Sequence, residues 1–149
     1  FLGTSVNDKE AVSRAFSLTK ANRLKDKKFA ILSGGEKQKI VIARAVAQTT
    51  PWMLLDEPIA SLDIKNQIEI MQTLLELNRQ EGVSVLMVLH DINLAGIYCD
   101  RLIMLKDGQV IAAGNTNECL CEENLKKLYD ISFFHMDTKK GQRYYYAEI

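Results

Sequence analysis

The clearest pattern in the chain is a pair of short apolar segments separated by a helical repeat. The segments cover residues 52–55 and 83–89. The uninterrupted apolar run at residues 52–55 predicts a strand that is buried on both faces of a parallel sheet, and the β-rich run at residues 83–89 predicts a second strand. Between the two segments, four apolar residues recur at helical spacing: Ile64, Ile68, Met71 and Leu75. Gly82 ends this pattern. The chain is therefore predicted to form a strand–helix–strand unit, with both strands in one sheet.

Helical spacing also occurs before this unit. Residues 7–20 place apolar side chains on one face and predict a first helix, which leads into a basic stretch at residues 20–28. A second helix is predicted to begin near Gly34, because Ser33 and Glu36 have the Ser-x-x-Glu spacing of a capping box. The predicted fold class is therefore α/β, with parallel core strands and flanking helices.

The last third of the chain predicts two antiparallel hairpins on either side of a broken helix. The first hairpin turns at Asp107-Gly108, a favoured pair for a two-residue turn, and the second turns at Lys140-Gly141. Thr116 is predicted to cap the helix. The predicted strands of the first hairpin are residues 101–106 and 109–113, and the predicted helical segments are residues 116–121 and 122–129. The second hairpin is predicted over residues 133–149.

Composition and charge narrow the class of protein. In 149 residues, 47% hydrophobic and 26% charged residues are ordinary for a soluble globular domain. Lys plus Arg and Asp plus Glu both number 19, which gives no electrostatic case for nucleic-acid binding. No apolar run approaches the roughly 20 residues of a membrane span, and the sequence leads us to expect no signal peptide. The three cysteines lack the paired spacing of a metal site and are interpreted as reduced structural thiols.

Two candidate functional positions follow from the predicted elements. Gly34-Gly35 at the start of a helix leaves backbone N–H groups open at the positive end of the helix dipole, which favours a bound phosphate. Asp56 and Glu57 follow the first strand, at the end where open α/β sheets bind ligands. Adjacent carboxylates there are costly without compensation, so Asp56 is predicted to organise Mg²⁺ and Glu57 to hold an attacking water.

A third candidate is His90, which ends the second apolar strand. A single histidine is more often structural than catalytic, but this one lies one crossover after Asp56 and Glu57. From the end of a neighbouring strand, it can reach a γ-phosphate or the catalytic water. Asp91 is predicted to cap the next helix.

Four motifs in this order resemble the ATP-binding-cassette (ABC) ATPases. Residues 32–36 resemble the signature loop, residues 52–58 the Walker B motif, residues 61–63 the D-loop, and His90 the switch histidine. More specific stretches, together with Gln67, resemble the ATPase subunits of importers for ferric siderophores, haem and cobalamin. These stretches are residues 90–95, 98–102 and 105–108.

The resemblance implies a partial P-loop NTPase fold, with ATP and Mg²⁺ as cofactors. It implies that Asp56 organises Mg²⁺, that Glu57 is the general base and that His90 is the switch. It further implies that one group of residues acts in nucleotide binding across a dimer: Ser33, Gly34, Gly35, Glu36 and Asp63.

The resemblance also implies partners and a location. The partners are a second ABC ATPase subunit in a homodimer, transmembrane permease subunits and, indirectly, a substrate-binding protein, with no nucleic acid. The location is cytoplasmic and peripheral, on the inner face of the cell membrane. Three regions are expected: 1–32 in the helical subdomain, 33–115 in the catalytic core, and 116–149 as a C-terminal helix and hairpin.

One family motif does not occur in the sequence. No Gly-Lys-Ser/Thr is present, so the Walker A phosphate loop is missing. Because this motif is missing and the sequence starts at Phe1 rather than Met, we expect the C-terminal part of an importer ATPase. We expect this part to be inactive by itself. We also expect residues 83–89 to form a strand with an unpaired, apolar edge. Two alternatives stay open: the C-terminal lobe of a DNA-repair or chromosome-maintenance ATPase, and a non-enzymatic, truncated dimerisation partner.

Overall fold

The computed structural model describes residues 6–139 and 141–148, and the chain divides into two units between Leu89 and His90. Within residues 6–89, the first unit contains three α-helices and two strands: α1 (Val6–Leu18), α2 (Gly34–Val46), β1 (Trp52–Leu55), α3 (Ile64–Glu81) and β2 (Ser84–Met87). Two short 3₁₀ turns, Asn22–Leu24 and Phe29–Ile31, connect α1 to α2. Among the described residues, no helix combines the length and apolarity that a bilayer span needs.

The predicted strand–helix–strand unit is confirmed. β1 and β2 pair in parallel, with Met53 opposite Val85 and Leu55 opposite Met87. The Val88 N–H donates to the Leu55 carbonyl at 3.0 Å and continues the ladder past β2. Gly82 ends α3, as predicted, and the structure shows it in the left-handed conformation, with φ of 68°.

The prediction that the first strand is buried on both faces is wrong for the structure described. Met53 is 5% exposed, whereas Leu54, on the opposite face of the strand, is 73% exposed. Leu86 on β2 is also exposed. Within the described part of the chain, β1 and β2 pair only with each other. Elements of the first unit therefore cover one face of this two-stranded sheet and leave the other bare.

The predicted apolar stripe of α3 is also partly wrong. Met71 is buried, but Ile64 is 75% exposed and Ile68 lies at the surface. The buried face instead comprises Ile70, Met71, Thr73, Leu74 and Leu77. The helix carries apolar residues on more than one face, and periodicity alone does not tell which face packs.

A small cluster in the first unit fixes the chain where α2 begins. Ala21, Leu24 and Leu32 are buried together, with Phe16 and Ile40 packed against them. Because Leu32 directly precedes Ser33, this cluster fixes the approach to the first turn of α2.

In its described residues, 90–139 and 141–148, the second unit contains three helices and four strands: α4 (Ile92–Tyr98), β3 (Arg101–Lys106), β4 (Gln109–Asn115), α5 (Thr116–Cys119), α6 (Glu122–Tyr129), β5 (Phe133–Asp137) and β6 (Arg143–Ala147). β3 pairs antiparallel with β4, and β5 with β6. Both residues of the predicted turn have positive φ, 50° at Asp107 and 75° at Gly108, as the favoured hairpin turn requires. The hydrophobic core of the second unit contains Met104, Leu120, Leu125 and Tyr145.

Thr116 does not cap the helix in the way predicted. Asn115 occupies the N-cap position of α5, and Thr116 is its first helical residue. The Thr116 hydroxyl is buried and donates to the Cys99 carbonyl at 2.5 Å. The predicted break and restart at residue 122 are confirmed. The final hairpin is also confirmed, but Lys140 of its predicted turn lies outside the described residues.

Candidate functional site

The first turn of α2 is closed by a reciprocal pair of hydrogen bonds, which confirms the predicted capping box. The Ser33 Oγ accepts from the Glu36 N–H at 3.3 Å, and the Ser33 N–H donates to Glu36 Oε2 at 3.0 Å. Lys27 Nζ lies 3.3 Å from Glu36 Oε1. The hydrogen bond from the Ser33 N–H, followed by the one from Lys27, holds the pKa of Glu36 below its ordinary value. The Ser33 hydroxyl still has its own hydrogen to donate, because a hydroxyl both donates and accepts.

The two signature glycines have different surroundings. Gly34 is exposed, and a Cβ on it would lie 3.4 Å from Leu62 Cδ2, an ordinary contact. Gly35 is buried, and a Cβ on it would lie 2.3 Å from Asn66 Oδ1. The approach of a phosphate would explain both glycines. At Gly35, packing against Asn66 within the chain also disfavours a side chain, because a Cβ there would displace the Asn66 amide.

Asp56 and Glu57 lie where the sequence predicts them, directly after β1 and at its carboxyl end. Both residues are exposed. Glu57 has a φ of 45°, in the left-handed region that non-glycine residues rarely adopt. Its carbonyl accepts from the Ala60 N–H at 3.1 Å, which closes the turn that follows. The Glu57 backbone is thus held in an uncommon conformation at the end of a parallel strand.

The described residues fit a magnesium ion that arrives with a nucleotide. They contain no cluster of three or more His, Cys, Asp or Glu residues arranged for a metal. Mg²⁺ in phosphate-transfer sites is held through one or two carboxylates, with phosphate oxygens and water as the other ligands. Asp56, an exposed carboxylate at the end of a strand, is of the residue type that such a site uses.

Asp63 has a structural contact that the sequence argument missed. It is the N-cap of α3, and its Oδ1 accepts from the Asn66 N–H at 2.9 Å. Its Oδ2 accepts from Asn66 Nδ2 at 2.8 Å. These two bonds, the backbone one first, lower the pKa of Asp63. The signal was present in the sequence, since an Asp directly before a helical repeat is a favoured N-cap.

His90 is exposed and is the first residue of the second unit. The next residue, Asp91, caps α4 as predicted, because its Oδ1 accepts from the N–H groups of Asn93 and Leu94 at 2.8 and 2.9 Å. This cap fixes the backbone directly after His90. The other predicted site residues all lie in the first unit: Ser33, Gly34, Gly35, Glu36, Asp56, Glu57 and Asp63.

A scan against protein families matches residues 4–60 to the ABC transporter family. The match includes the signature loop and the carboxylates after β1. Residues 4–60 are part of an ABC transporter domain. The fold agrees, since a solved metal-chelate type ABC transporter in an inward-facing conformation superposes with a TM-score of 0.93 at 26% identity. That superposition covers 100% of this chain and 61% of the other.

Two further comparisons show similarity to ATP-binding proteins. The ferric enterobactin transport ATP-binding protein FepC of Escherichia coli is 40% identical over 130 residues, which cover 87% of this chain and 48% of the relative. A dimeric ATP-binding cassette in a post-hydrolysis state, bound to ADP and Pi, is 34% identical with a TM-score of 0.64. It covers 78% of this chain and 51% of the other. The chain thus spans about half the length of the curated relative it matches.

Proposed function

We propose that this chain carries the signature loop, Walker B motif, D-loop and switch histidine of an ATP-hydrolysing subunit of an ABC importer. The observation that carries the proposal is the position of Glu57, next to Asp56 at the carboxyl end of β1 and with a φ of 45°. A non-glycine residue in this conformation costs about 1–3 kcal/mol, and such strain clusters at functional sites. Residues such as Lys20 and Thr49 also have positive φ, so the place of Glu57 beside Asp56 at the end of β1 is what carries the proposal.

In the proposed mechanism, the carboxylates after β1 divide two tasks. Glu57 is the general base, whose carboxylate accepts a proton from the attacking water. Asp56 holds Mg²⁺, which when bound neutralises charge on the phosphate oxygens. His90 orients the water or the γ-phosphate. Exposure of both carboxylates to solvent supports these roles, because a nucleotide can reach them.

The first turn of α2 acts on ATP that is held by a second ATPase subunit. The Ser33 hydroxyl donates to the γ-phosphate while its oxygen keeps the bond from the Glu36 N–H. The N–H groups of Gly34 and Gly35 add to this contact, since the first N–H groups of a helix have no acceptor within it. Asp63 bridges the two nucleotide sites. The similarity to a dimeric cassette bound to ADP and Pi supports this arrangement.

The transported solute is a metal chelate in this proposal, with ferric siderophores first and haem or cobalamin next. The similarity to a ferric enterobactin transport protein and to a metal-chelate type transporter supports that class. The remaining partners are transmembrane permease subunits and, through them, a substrate-binding protein. The subunit is peripheral, on the cytoplasmic face of the membrane.

A titration tests whether these 149 residues need a separate phosphate-binding segment, as the missing Gly-Lys-Ser/Thr suggests. Mg²⁺ and a fluorescent ATP analogue are added to the chain alone, and then to the chain with a cassette half that carries Walker A. We expect tight binding only in the second case. Tight binding by the chain alone would show that another loop grips the phosphates.

A further inference from the structure

One side chain, Asn66, joins the signature loop to the D-loop within the first unit. It lies so close to the Gly35 backbone that a Cβ there would be 2.3 Å from its Oδ1 and 2.5 Å from its Cγ. The same side chain donates from Nδ2 to Asp63 Oδ2 at 2.8 Å. Its backbone N–H donates to the other carboxylate oxygen, Oδ1, at 2.9 Å. Asn66 thus contacts Gly35 and holds both oxygens of Asp63.

The surroundings limit how Asn66 can respond if Gly35 moves. Its backbone is in the first turn of α3, and the next residue, Gln67, donates from Nε2 to the Ile59 carbonyl at 3.3 Å. That carbonyl lies in the turn after Glu57, where the Leu62 N–H also approaches it at 3.4 Å. Because the backbone is held, the mobile part of Asn66 is its amide group. Displacement of this amide breaks its bond to Asp63.

We propose that Asn66 is a positioning residue that couples the signature glycine Gly35 to the D-loop carboxylate of Asp63 in the same subunit. A shift of the first turn of α2 pushes the Asn66 amide, which releases or reorients Asp63. The proposal rests on the proposed function for the event that moves α2, namely the engagement of a γ-phosphate on a second subunit. The contact itself is a property of this chain. It gives the two loops that face a second subunit a direct mechanical connection.

Asn66 could instead serve only to stabilise the start of α3. In that case, Asn66→Ala would change stability, but it would not alter the effect of a Gly35 substitution on Asp63. A double-mutant comparison separates the two roles, because interaction between substitutions reports coupling. Asn78 offers a matched control: it is also on α3 and also bonds through Nδ2, to the Val83 carbonyl at 3.0 Å.

The experiment records backbone amide NMR signals of the chain with Gly35→Ala introduced into three backgrounds. In the wild-type and Asn78→Ala backgrounds, we expect Gly35→Ala to shift the Asp63 signal, since the new Cβ displaces the Asn66 amide. In the Asn66→Ala background, the same substitution should leave the Asp63 signal in place. Equal shifts in all three backgrounds, or no shift in any, would overturn the coupling. Unchanged signals from the buried core of the first unit, such as that of Leu77, verify folding.

A second arm adds a Walker A-bearing cassette half loaded with ATP. In the wild-type chain, we expect signals of both Gly34 and Asp63 to shift. In Asn66→Ala, the Gly34 signal should still shift fully, while the Asp63 shift should be smaller than in the wild-type chain, because only the direct effect of the partner half remains. An Asp63 shift in Asn66→Ala as large as that in the wild-type chain would contradict the proposal. A Gly34 signal that fails to move even in the wild-type chain would count against the proposed function, while the first arm still decides the coupling.

Discussion

Ser33 and Glu36 hold each other at the first turn of α2, with the Glu36 N–H bonded to the Ser33 Oγ and the Ser33 N–H bonded to the Glu36 carboxylate. This arrangement gives Ser33 two separable properties. Its oxygen caps the helix, and its hydroxyl hydrogen is available to a phosphate. Substitutions that keep one property and remove the other can therefore test the assignment.

Ser33→Ala removes the cap and should lower the free energy of unfolding by about 1 kcal/mol. Ser33→Asp keeps an oxygen acceptor of nearly equal capping strength, so its stability should match the wild type. The added negative charge should nevertheless abolish the ATP-dependent association with a Walker A half, because in the proposed arrangement residue 33 faces the γ-phosphate. Urea unfolding and a binding titration measure the two effects. Wild-type binding by Ser33→Asp would exclude a phosphate contact at this residue.

Asp63 should make stability depend on acid pH. Its pKa is lowered from the ordinary value of 3.8, first by the Asn66 N–H and then by the Asn66 side chain. A lowered folded-state pKa means that the stabilisation is present above the unfolded value and is lost as pH falls through the folded value. Unfolding free energies measured from neutral pH down to about pH 3 should fall less steeply for Asp63→Asn than for the wild type. Identical slopes would show that the cap does not contribute.

Cys99 should react slowly with alkylating reagents. Burial, followed by the nearby charge of Asp100, raises the pKa of its thiol from 9.0 to about 11. Well below the pKa, each unit by which the pKa rises lowers the thiolate fraction about tenfold. At pH 8, the thiolate fraction of Cys99 is therefore about 100-fold lower than that of an ordinary cysteine. Iodoacetamide labelling followed by mass spectrometry should show this delay, and the urea-unfolded chain provides the reference rate. The raised pKa also predicts a loss of stability as pH rises above about 9.

The core of the second unit depends on Leu125, which is fully buried beside Met104 and Tyr145. Leu125→Ala should destabilise this unit by about 2–5 kcal/mol, through lost burial and the cavity left behind. Ile103→Ala is the control, because Ile103 is exposed on β3 and should change stability by less than about 0.5 kcal/mol. Circular dichroism during urea unfolding measures both. Equal effects at the two positions would contradict the described core.

Local sequence signals predicted the features that a few neighbouring residues determine. The Ser33–Glu36 capping box and the Asp107-Gly108 turn were both correct, because hydrogen bonding and backbone preference within four residues fix them. The parallel pairing of β1 with β2 was also correct, since the intervening helix and the crossover rule leave few options.

Features that depend on distant packing were not predicted. The contact of Asn66 with Gly35 joins residues far apart in sequence, so no local pattern reveals it. The exposure of Leu54 and Ile64 depends on which faces neighbouring elements cover. A hydrophobic pattern identifies faces that are able to pack, but it does not supply the surface against which they pack. The roles of Glu57 and His90 stay predictions for the same reason, because they depend on a nucleotide and on further protein surfaces.

The most direct test of the central claim is the rate of ATP hydrolysis by Glu57→Gln together with a cassette half that carries Walker A. Glu10→Gln is the matched control, since Glu10 lies on the exposed surface of α1. We predict that Glu57→Gln keeps ATP binding and loses hydrolysis by about 10²–10⁴-fold, the range expected for removal of a general base, while Glu10→Gln retains the full rate. Hydrolysis by Glu57→Gln at the rate of the control would contradict the assignment of Glu57 as the catalytic base.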